Sequence, residues 1–219
     1  TCGNDGITYG NLFQECEKKL HFLKKGQLIL IVADNTISFF QIYFYALKKG
    51  VPQILIDRNT SANNIKKIIK IYKPNCIFLK KENLPKNNFS IFTNFKDYQI
   101  CNYSKKRINI NKSLAILLST SGSTGSSKFV KLSYENIFSN AINIAKYLKI
   151  KNSHTTITTM LPSYSYGLSI INSHFISGAK IIINNDTFFS KEFWTKLNFF
   201  KVNSFGGVPF QYQILKKLK

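Results

Sequence analysis

The chain has 219 residues, of which 44% are hydrophobic and 14% aromatic, so it can bury a sizeable core as one large domain or two small ones. No apolar run reaches the length that a membrane-spanning helix needs, and the first residues lack the pattern of a secretory signal, which favours a cytoplasmic protein. Lys and Arg number 31 against 10 Asp and Glu, a formal net charge of +21, and such a balance raises nucleic acid or an anionic membrane as a partner.

The positive charges are scattered along the sequence as short pairs, for example Lys24-Lys25 and Lys48-Lys49. A nucleic-acid surface usually shows a basic stripe with interleaved aromatic residues, and no single stripe of that kind is present. We therefore expect neither nucleic acid nor membrane as a partner, and we keep a basic nucleic-acid-binding module as an alternative. The charge is expected to help attract an anionic substrate.

Apolar runs alternate along the chain with stretches of helical periodicity, which is typical of an α/β fold with layered, mainly parallel-sheet subdomains and flanking helices. Gly50 is expected to end the second helix, and Ser61 and Ser133 to cap the next two. The predicted strands cover residues 28–33, 51–56, 75–79, 114–118, 129–132, 155–160, 180–183 and 202–205. The predicted helices cover residues 9–22, 36–49, 61–72, 133–148, 166–177 and 189–200, with a last helix from Pro209.

Residues 80–112 interrupt this alternation because they are polar, basic and irregular. We predict loops and an edge strand here, as the approach to a second sheet layer. We also predict a first α/β subdomain over residues 1–112 and a second subdomain over residues 113–219. The last helix is still running at Lys219 without a polar linker, so we expect the fold to continue beyond this chain.

The four cysteines and three histidines have no zinc, redox or metal-ligand spacing. We therefore predict no metal site, and we predict reduced thiols with a structural role. His174 lies on an apolar helix and is interpreted as a core residue with satisfied hydrogen bonds. Asp57 is interpreted as a capping group at a strand end, and Trp194 as helix packing.

A loop rich in serine, threonine and glycine directly follows the predicted strand 114–118. Gly122 and Gly125 let the backbone bend and approach a ligand, and successive backbone N–H groups in such a turn form an anion site. Side-chain hydroxyls and the Lys128 ammonium group add donors that suit a triphosphate. The predicted nucleotide-binding residues are Thr120, Ser121, Gly122, Ser123, Thr124, Gly125 and Lys128, of which Thr124 and Lys128 are also predicted to be catalytic.

The spacing of this loop is not that of the common P-loop, because two residues separate Gly122 from Gly125 and Phe129 follows Lys128. The glycine-rich fingerprint of dinucleotide-binding folds is also missing. Composition by itself supports a flexible Ser/Gly connection between two strands as well as it supports phosphate binding.

Residues 120–128 closely resemble the phosphate loop of the adenylate-forming (AMP-binding) superfamily of acyl-CoA synthetases, amino-acid-activating adenylation enzymes and luciferases. The pattern of that family is Ser/Thr-Ser-Gly-Ser/Thr-Thr-Gly-x-Pro-Lys-Gly, and this chain departs from it at Ser127 and Phe129. Shorter segments agree in order and spacing at residues 5–12, 28–57 and 132–137. The resemblance covers essentially the whole chain and implies the N-terminal part of that fold.

Two later segments resemble parts of the family that lie against the carboxylate substrate. Residues 161–168 resemble its Pro-x-x-His-x-x-Gly segment, with Tyr164 in the place of the histidine, and residues 206–210 resemble its Gly-Val-Pro turn. The two tyrosines in the first segment are also interpretable as core aromatics at a strand end. The resemblance implies that the substrate-binding residues are Tyr164, Tyr166, Gly167, Gly206, Gly207, Val208 and Pro209.

The reaction that the resemblance implies is ATP-dependent, AMP-forming activation of an acyl or amino acid. A carboxylate oxygen attacks the α-phosphorus of ATP, pyrophosphate leaves, and a thiol then takes the acyl group from the adenylate. The implied cofactors are ATP with Mg²⁺, and the implied acceptor is coenzyme A or the phosphopantetheine of a carrier protein. The implied partners are a small carboxylate and an acyl or peptidyl carrier protein.

Later motifs of the family lie beyond residue 219, among them its Tyr-Gly-x-Thr-Glu segment, its ribose-binding aspartate and its C-terminal catalytic lysine. We therefore expect that the C-terminal part of the enzyme is absent and that the 219-residue chain does not complete adenylation by itself. A truncated chain, a split gene and a degenerate gene all fit this expectation. A non-catalytic fragment or relic of the same fold is the alternative to an enzyme.

Overall fold

The computed structural model describes residues 6–83, 90–104, 109–119 and 128–217. The described chain forms two compact units, one over residues 7–136 and the other over residues 137–217 with Gly6. We call them the N-terminal unit and the C-terminal unit. The predicted subdivision into residues 1–112 and 113–219 concerns the subdomains of the family and stays a prediction.

The N-terminal unit is built on a seven-stranded sheet with the strand order β4-β5-β3-β1-β2-β6-β7. The four central strands β3, β1, β2 and β6 are parallel, whereas β5, β4 and β7 join antiparallel to their neighbours. The predicted α/β class with a mostly parallel sheet is confirmed. The strands are β1 (Ile29–Ala33), β2 (Gln53–Asp57), β3 (Cys76–Leu79), β4 (Ile91–Phe95), β5 (Tyr98–Asn102), β6 (Leu114–Ser119) and β7 (Phe129–Ser133).

Helix α1 (Gln14–Lys19) precedes β1, α2 (Ile37–Lys49) connects β1 to β2, and α3 (Ala62–Tyr72) connects β2 to β3. Thr36 and Ser61 cap α2 and α3, since each hydroxyl oxygen accepts a hydrogen bond from the backbone N–H three residues later. Gly50 ends α2 with a φ of 68°, a left-handed conformation that glycine adopts without steric cost. The sequence therefore marks these helix ends correctly.

The core of the N-terminal unit lies between β1 and α2. All five residues of β1 are fully buried, and every residue of α2 between positions 38 and 46 is buried. A helix that is apolar on all sides is covered on all sides in a folded protein. The aromatic side chains of α2 interlock, and Phe39 stacks on Tyr43 with their ring centroids 5.8 Å apart.

Two predictions for this unit are wrong. The helix predicted over residues 9–22 is only six residues long, because Gly10 and Asn11 are poor helix formers and this stretch forms turns instead. The second sheet layer predicted after residue 80 does not form in the described residues. Instead β5 pairs antiparallel with β3 and β4 pairs with β5, so the hairpin extends the same sheet. The edge strand predicted within residues 80–112 is present as β4.

The C-terminal unit is smaller and contains two parallel strands, β8 (Thr155–Ile157) and β9 (Lys180–Ile182). The strand predicted over residues 202–205 is present as a single bridge between Ser204 and Thr156. The helices of this part of the chain are α4 (Tyr134–Tyr147), α5 (Ser165–Ile176), α6 (Lys191–Phe199) and α7 (Pro209–Lys217). Phe188 and Phe193 form the centre of its apolar core, and Trp194 packs against both, as expected for helix packing.

A buried ion pair closes the carboxyl end of the sheet between β1 and β3. Asp34 follows β1 and Lys80 follows β3, and the Lys80 ammonium group donates to the Asp34 carboxylate. Arg58 donates to the same carboxylate at 3.0 Å. Lys80 also pairs at 3.2 Å with Asp97, which lies in the β4–β5 turn. One ammonium group therefore connects β1, β3 and the edge hairpin.

Burial would by itself raise the pKa of the Asp34 carboxyl, because a charged group loses hydration in the interior. The Lys80 hydrogen bond and charge outweigh this effect, with smaller contributions from the Asn35 N–H group and Arg58, and the pKa of Asp34 lies below its ordinary value. The ionised carboxylate is therefore the form that the fold stabilises.

Three thiols of the N-terminal unit are buried and unpaired as cysteines, namely Cys16 on α1, Cys76 on β3 and Cys101 on β5. Burial raises the pKa of Cys16 to about 12 and the pKa of Cys76 to about 11. These thiols are therefore protonated core residues, as expected. Within the described part of the chain, none of the helices combines the length and the apolar character needed to cross a bilayer.

We predict that Lys80→Met lowers the free energy of unfolding by about 3 kcal/mol, because the Asp34 charge stays buried without its main partner. Urea denaturation followed by circular dichroism measures this loss. Lys48→Met is the matched control, since Lys48 pairs with Glu17 at the surface and both side chains are about half exposed. Equal losses in the two variants would contradict a special role for the buried pair.

We also predict that the stability advantage of the wild type over Asp34→Asn decreases in acid. Because the folded-state pKa of Asp34 lies below the unfolded value of about 3.9, its contribution is fully present above that value and is lost as the pH falls through the folded-state pKa. Urea midpoints of both proteins at pH 7 and pH 3 test this. A midpoint difference that is the same at both pH values would refute the assignment.

Candidate functional site

The predicted phosphate loop connects two strands whose ends are paired with each other. Ser119, the last residue of β6, lies opposite Phe129, the first residue of β7, and the pairing continues from Leu118 to Val130. Lys128 lies directly before β7 and is exposed. The other predicted nucleotide-binding residues, Thr120, Ser121, Gly122, Ser123, Thr124 and Gly125, lie outside the described residues.

The start of this loop has a defined position on the sheet. Strand β6 is parallel to β2, which is parallel to β1, so Ser119 lies at the edge where the other parallel strands also end. Ligands of open parallel sheets bind at this edge, outside the carboxyl ends of the strands. The described strands therefore lead the chain to a position where an anion site is expected.

Phe129 occupies the position of a glycine in the family pattern, and the structure shows what its side chain contacts. Its ring meets the ring of Tyr72, the last residue of α3, edge to face with centroids 5.3 Å apart. Such pairs are favourable beyond the area they bury. The departure from the family pattern at Phe129 therefore adds a packing contact between β7 and α3.

The predicted carboxylate-binding tyrosines lie in the first turn of α5 in the C-terminal unit. Tyr164 is the N-cap residue in an extended conformation, and Tyr166 follows within the helix. Their side chains are 50% and 41% exposed, respectively, so both are available to a ligand. This exposure does not fit the alternative that they are core aromatics.

Gly167 is buried at a position where no larger residue fits. A Cβ atom at this position would lie 2.5 Å from the backbone carbonyl oxygen of Leu161 and 3.2 Å from the Met160 side chain. The glycine lets α5 begin directly against the segment that follows β8. It therefore has a packing role that fixes the start of the helix.

The structure brings Tyr166 and Gly206 together. A Cβ atom at Gly206 would lie 3.1 Å from the Tyr166 hydroxyl oxygen and 2.3 Å from the Cδ1 atom of Ile170. The Thr159 hydroxyl donates a hydrogen bond of 2.5 Å to the Gly206 carbonyl oxygen. Gly206 thus lies between a side chain from the end of β8 and two from α5.

The turn after Gly206 contains the remaining predicted substrate residues. Gly207 lies against the Tyr212 ring, since a Cβ atom here would be 3.0 Å from that ring. The Val208 N–H group donates to the Gln211 side chain at 2.9 Å, and Pro209 is the first residue of α7. Burial raises the pKa of the Tyr212 hydroxyl, and the nearby Tyr166 hydroxyl adds to this.

Sequence reasoning missed three residues of this cluster, namely Thr159, Ile170 and Tyr212. Ile170 lies four residues after Tyr166, and that helical spacing indicates that both side chains share one face. Thr159 and Tyr212 carry no spacing signal, because Thr159 meets Gly206 only when segments distant in sequence come together and Tyr212 meets Gly207 only when the turn between them forms. The described site residues are therefore divided, with Lys128 in the N-terminal unit and the tyrosine–glycine cluster in the C-terminal unit.

We predict opposite outcomes for two glycine-to-alanine substitutions. Gly206→Ala clashes mainly with the flexible end of Ile170, so Ile170→Val, which removes the Cδ1 atom, should restore stability in the double variant. Gly167→Ala clashes with backbone, so it should cost about 1–3 kcal/mol of unfolding free energy that no change at Ile170 restores.

Urea denaturation of Gly206→Ala, Gly167→Ala and each combination with Ile170→Val measures the difference. Rescue of both glycine variants by Ile170→Val, or rescue of neither, would contradict the contacts described for Gly206 and Gly167.

Residues 2–219 match a family described as AMP-binding enzymes, and the chain matches no curated protein. Its fold is similar to O-succinylbenzoate CoA synthetase (MenE) from Bacillus subtilis in complex with AMP, with a TM-score of 0.77 and 18% identity over 99% of this chain and 59% of that one. It is also similar to apo MatB from Rhodopseudomonas palustris, with a TM-score of 0.74 and 16% identity over 96% of this chain and 46% of that one. A third similar structure is VinN with 3-methylaspartate, with a TM-score of 0.69 and 16% identity over 94% of this chain and 58% of that one.

The chain thus spans about half the length of the solved structures that it matches. The TM-scores show a shared fold, and at identities of 16–18% the similarity shows the fold alone. The match to the family runs from residue 2 to residue 219. The chain therefore belongs to the AMP-binding enzyme family and has the fold of the N-terminal part of an adenylate-forming enzyme.

Proposed function

We propose that this chain carries the nucleotide-phosphate site and part of the carboxylate site of an ATP-dependent, AMP-forming ligase. The ligase would join an acyl or amino acid to AMP and pass the acyl group to the thiol of coenzyme A or of a carrier protein. Membership of the AMP-binding enzyme family supports the nucleotide part of this proposal. Similar proteins support the wider reaction, since one is named a CoA synthetase and has been solved with ATP and a magnesium ion.

The observation that carries the proposal is the pairing of Ser119 with Phe129 at the carboxyl edge of the parallel sheet. It fixes both ends of a short segment rich in hydroxyls and glycine at the edge where parallel sheets bind ligands. Lys128 supplies a positive charge at one of these ends. Residues 120–128 would grip the β- and γ-phosphates, with Thr124 and Lys128 nearest to the reaction and Mg²⁺ sharing the negative charge.

Little covalent chemistry is required of the protein in this reaction. Attack of a carboxylate on the α-phosphorus depends on holding the two reactants in line and on neutralising the phosphate charge. Hydroxyl groups, backbone N–H groups and one lysine are sufficient for that role. We therefore assign to the loop positioning and charge neutralisation, with no protein nucleophile.

The carboxylate is proposed to bind at the cluster formed by Tyr164, Tyr166 and the turn from Gly206 to Pro209. The close approach of Tyr166 to Gly206 and of Tyr212 to Gly207 supports this, because it gives the turn a wall of aromatic side chains with hydroxyl groups. Small carboxylates are named with two similar proteins, one in complex with the acyl-adenylate OSB-AMP and one with 3-methylaspartate. A small acyl or amino acid is therefore the substrate class we propose.

We predict that Lys128→Ala and Thr124→Ala each weaken ATP binding by about tenfold or more, because each removes a direct phosphate contact. Fluorescence anisotropy with a mant-labelled ATP and Mg²⁺ measures this on the 219-residue chain. Lys131→Ala is the matched control, since Lys131 is an exposed lysine on the same strand β7. We expect the control to bind as the wild type does.

The same variants are then compared in carboxylate-dependent ATP–pyrophosphate exchange by the polypeptide as its gene encodes it. Exchange that Lys128→Ala abolishes supports the ligase. ATP binding without exchange for any acid in a broad panel would instead support a non-catalytic relic of the fold. Equal ATP affinity in Lys128→Ala, Lys131→Ala and wild type would contradict the proposal that residues 120–128 bind the phosphates of ATP.

A further inference from the structure

One face of α5 carries three side chains that meet the segment before the Gly-Gly-Val-Pro turn. Tyr166, Ile170 and His174 follow one another at intervals of four residues, so they lie on the same face of the helix. Tyr166 and Ile170 lie against Gly206, and His174 contacts Ser204 two residues earlier. These three side chains of α5 therefore lie against residues 204–206.

His174 is buried, with 4% of its surface exposed, and both ring nitrogens have partners. Its Nδ1 atom lies 2.8 Å from the Ile170 carbonyl oxygen, which can only accept, so Nδ1 carries the hydrogen. Burial lowers the pKa of His174, which keeps the ring neutral. The Nε2 atom is therefore an acceptor, and the Ser204 hydroxyl donates to it at 3.1 Å.

Ser204 is the point where this segment is held to the rest of the C-terminal unit. It bridges Thr156 of β8, and the Asn203 and Ser204 N–H groups both donate to the Thr155 carbonyl oxygen. Gly206 is held two residues later by the Thr159 hydroxyl. The segment is thus fixed on the β8 side by hydrogen bonds, and its contact with α5 includes the one from Ser204 to His174.

That hydrogen bond differs in kind from the other contacts on the helix face. Tyr166 approaches Gly206 through its hydroxyl end, and Ile170 meets Gly206 through its apolar Cδ1 atom. An apolar contact is non-directional, so it constrains the position of the helix less sharply than a hydrogen bond does. A hydrogen bond weakens steeply with angle and distance. The bond between His174 and Ser204 is therefore suited to fix the position of the helix along the segment.

We propose that His174 is a positioning residue for the carboxylate site. Its hydrogen bond with Ser204 sets the register of α5 on residues 204–206, and so sets the distance between Tyr166 and Gly206 where the acid binds. The part of this inference that concerns the acid rests on the proposed ligase function. His174 itself touches neither the nucleotide nor the acid in this scheme.

Two substitutions separate the two hydrogen bonds of the ring. In His174→Gln the side-chain amide reaches about the position of Nε2, so the bond with Ser204 is kept. In His174→Asn it reaches about the position of Nδ1, so the bond with Ile170 is kept and the bond with Ser204 is lost. Ser204→Ala removes the same bond from the other side.

The first readout is fluorine NMR on protein labelled with 3-fluorotyrosine, with the Tyr166 resonance assigned by Tyr166→Phe. We expect His174→Asn and Ser204→Ala to shift the Tyr166 resonance, the double variant to shift it no further, and His174→Gln to leave it near the wild-type position. The Tyr147 resonance serves as internal control, because its side chain is 85% exposed in the same unit. An unmoved Tyr166 resonance in both His174→Asn and Ser204→Ala would overturn the proposal.

The second readout is ATP–pyrophosphate exchange by the polypeptide as its gene encodes it, with the acid that supports the fastest exchange in a panel. We expect the KM for the acid to rise about tenfold in His174→Asn and Ser204→Ala, as for the loss of one hydrogen bond, with the KM for ATP unchanged and with rescue in His174→Gln. A shifted Tyr166 resonance with an unchanged KM for the acid would sink the role in substrate binding. A wild type that neither binds mant-ATP nor supports exchange would contradict the proposed ligase function. The Tyr166 resonance would still test, independently of that function, whether the bond between His174 and Ser204 sets the position of α5 on residues 204–206.

Discussion

The parallel alignment of four strands in the N-terminal sheet determines where its polar groups can lie. Because β1, β2, β3 and β6 run in the same direction, the residues that follow them meet at one edge of the sheet. At the carboxyl ends of β1 and β3 that space is occupied by the ion pair of Asp34 and Lys80. The Lys80 ammonium group also lies over the ring of Tyr98, 5.8 Å from its centroid. At β6 the last strand residue is Ser119, which pairs with Phe129, the first residue of β7. The position in the sheet where parallel strands usually bind a ligand is thus closed at one strand pair, and the proposed phosphate site lies at the other end of the parallel set.

In the C-terminal unit the corresponding constraint is the absence of side chains at two positions. Gly167 lets α5 start against the backbone of Leu161, and Gly206 lets the same helix lie on the segment before the turn. Both glycines lie against α5, and the side chains that cover Gly206 are those of Tyr166 and Ile170 on that helix. A small site built in this way depends on the position of one helix, so its geometry is sensitive to whatever holds that helix in place.

Much of the fold could be predicted because it depends on local signals. Thr36, Gly50, Ser61 and Ser133 mark helix ends by capping chemistry that acts over three or four residues. Within residues 80–112 the sequence predicts an edge strand but neither its bounds nor its partner β5, because the alternation of apolar and polar residues that marks a half-buried strand is weak there and Ile91 and Phe92 are exposed. In the candidate site, the family pattern led to Tyr166 and Gly206. The position of Thr159 and the hydrogen bond between His174 and Ser204 depend on contacts between segments 30 or more residues apart. The contact of Tyr212 with Gly207 depends on a turn that only the folded chain forms.

The buried cysteines have a practical consequence for following the motions of this protein. A thiol reacts through its thiolate, and Cys16, Cys76 and Cys101 combine burial with protonation. An alkylating reagent can reach them only when the structure around them opens, so their labelling times measure that opening. All three lie on α1, β3 and β5 of the N-terminal unit, and the described part of the C-terminal unit contains no cysteine. Labelling of these three thiols therefore reports on opening of the N-terminal unit, and it can be followed separately from changes around the tyrosine–glycine cluster.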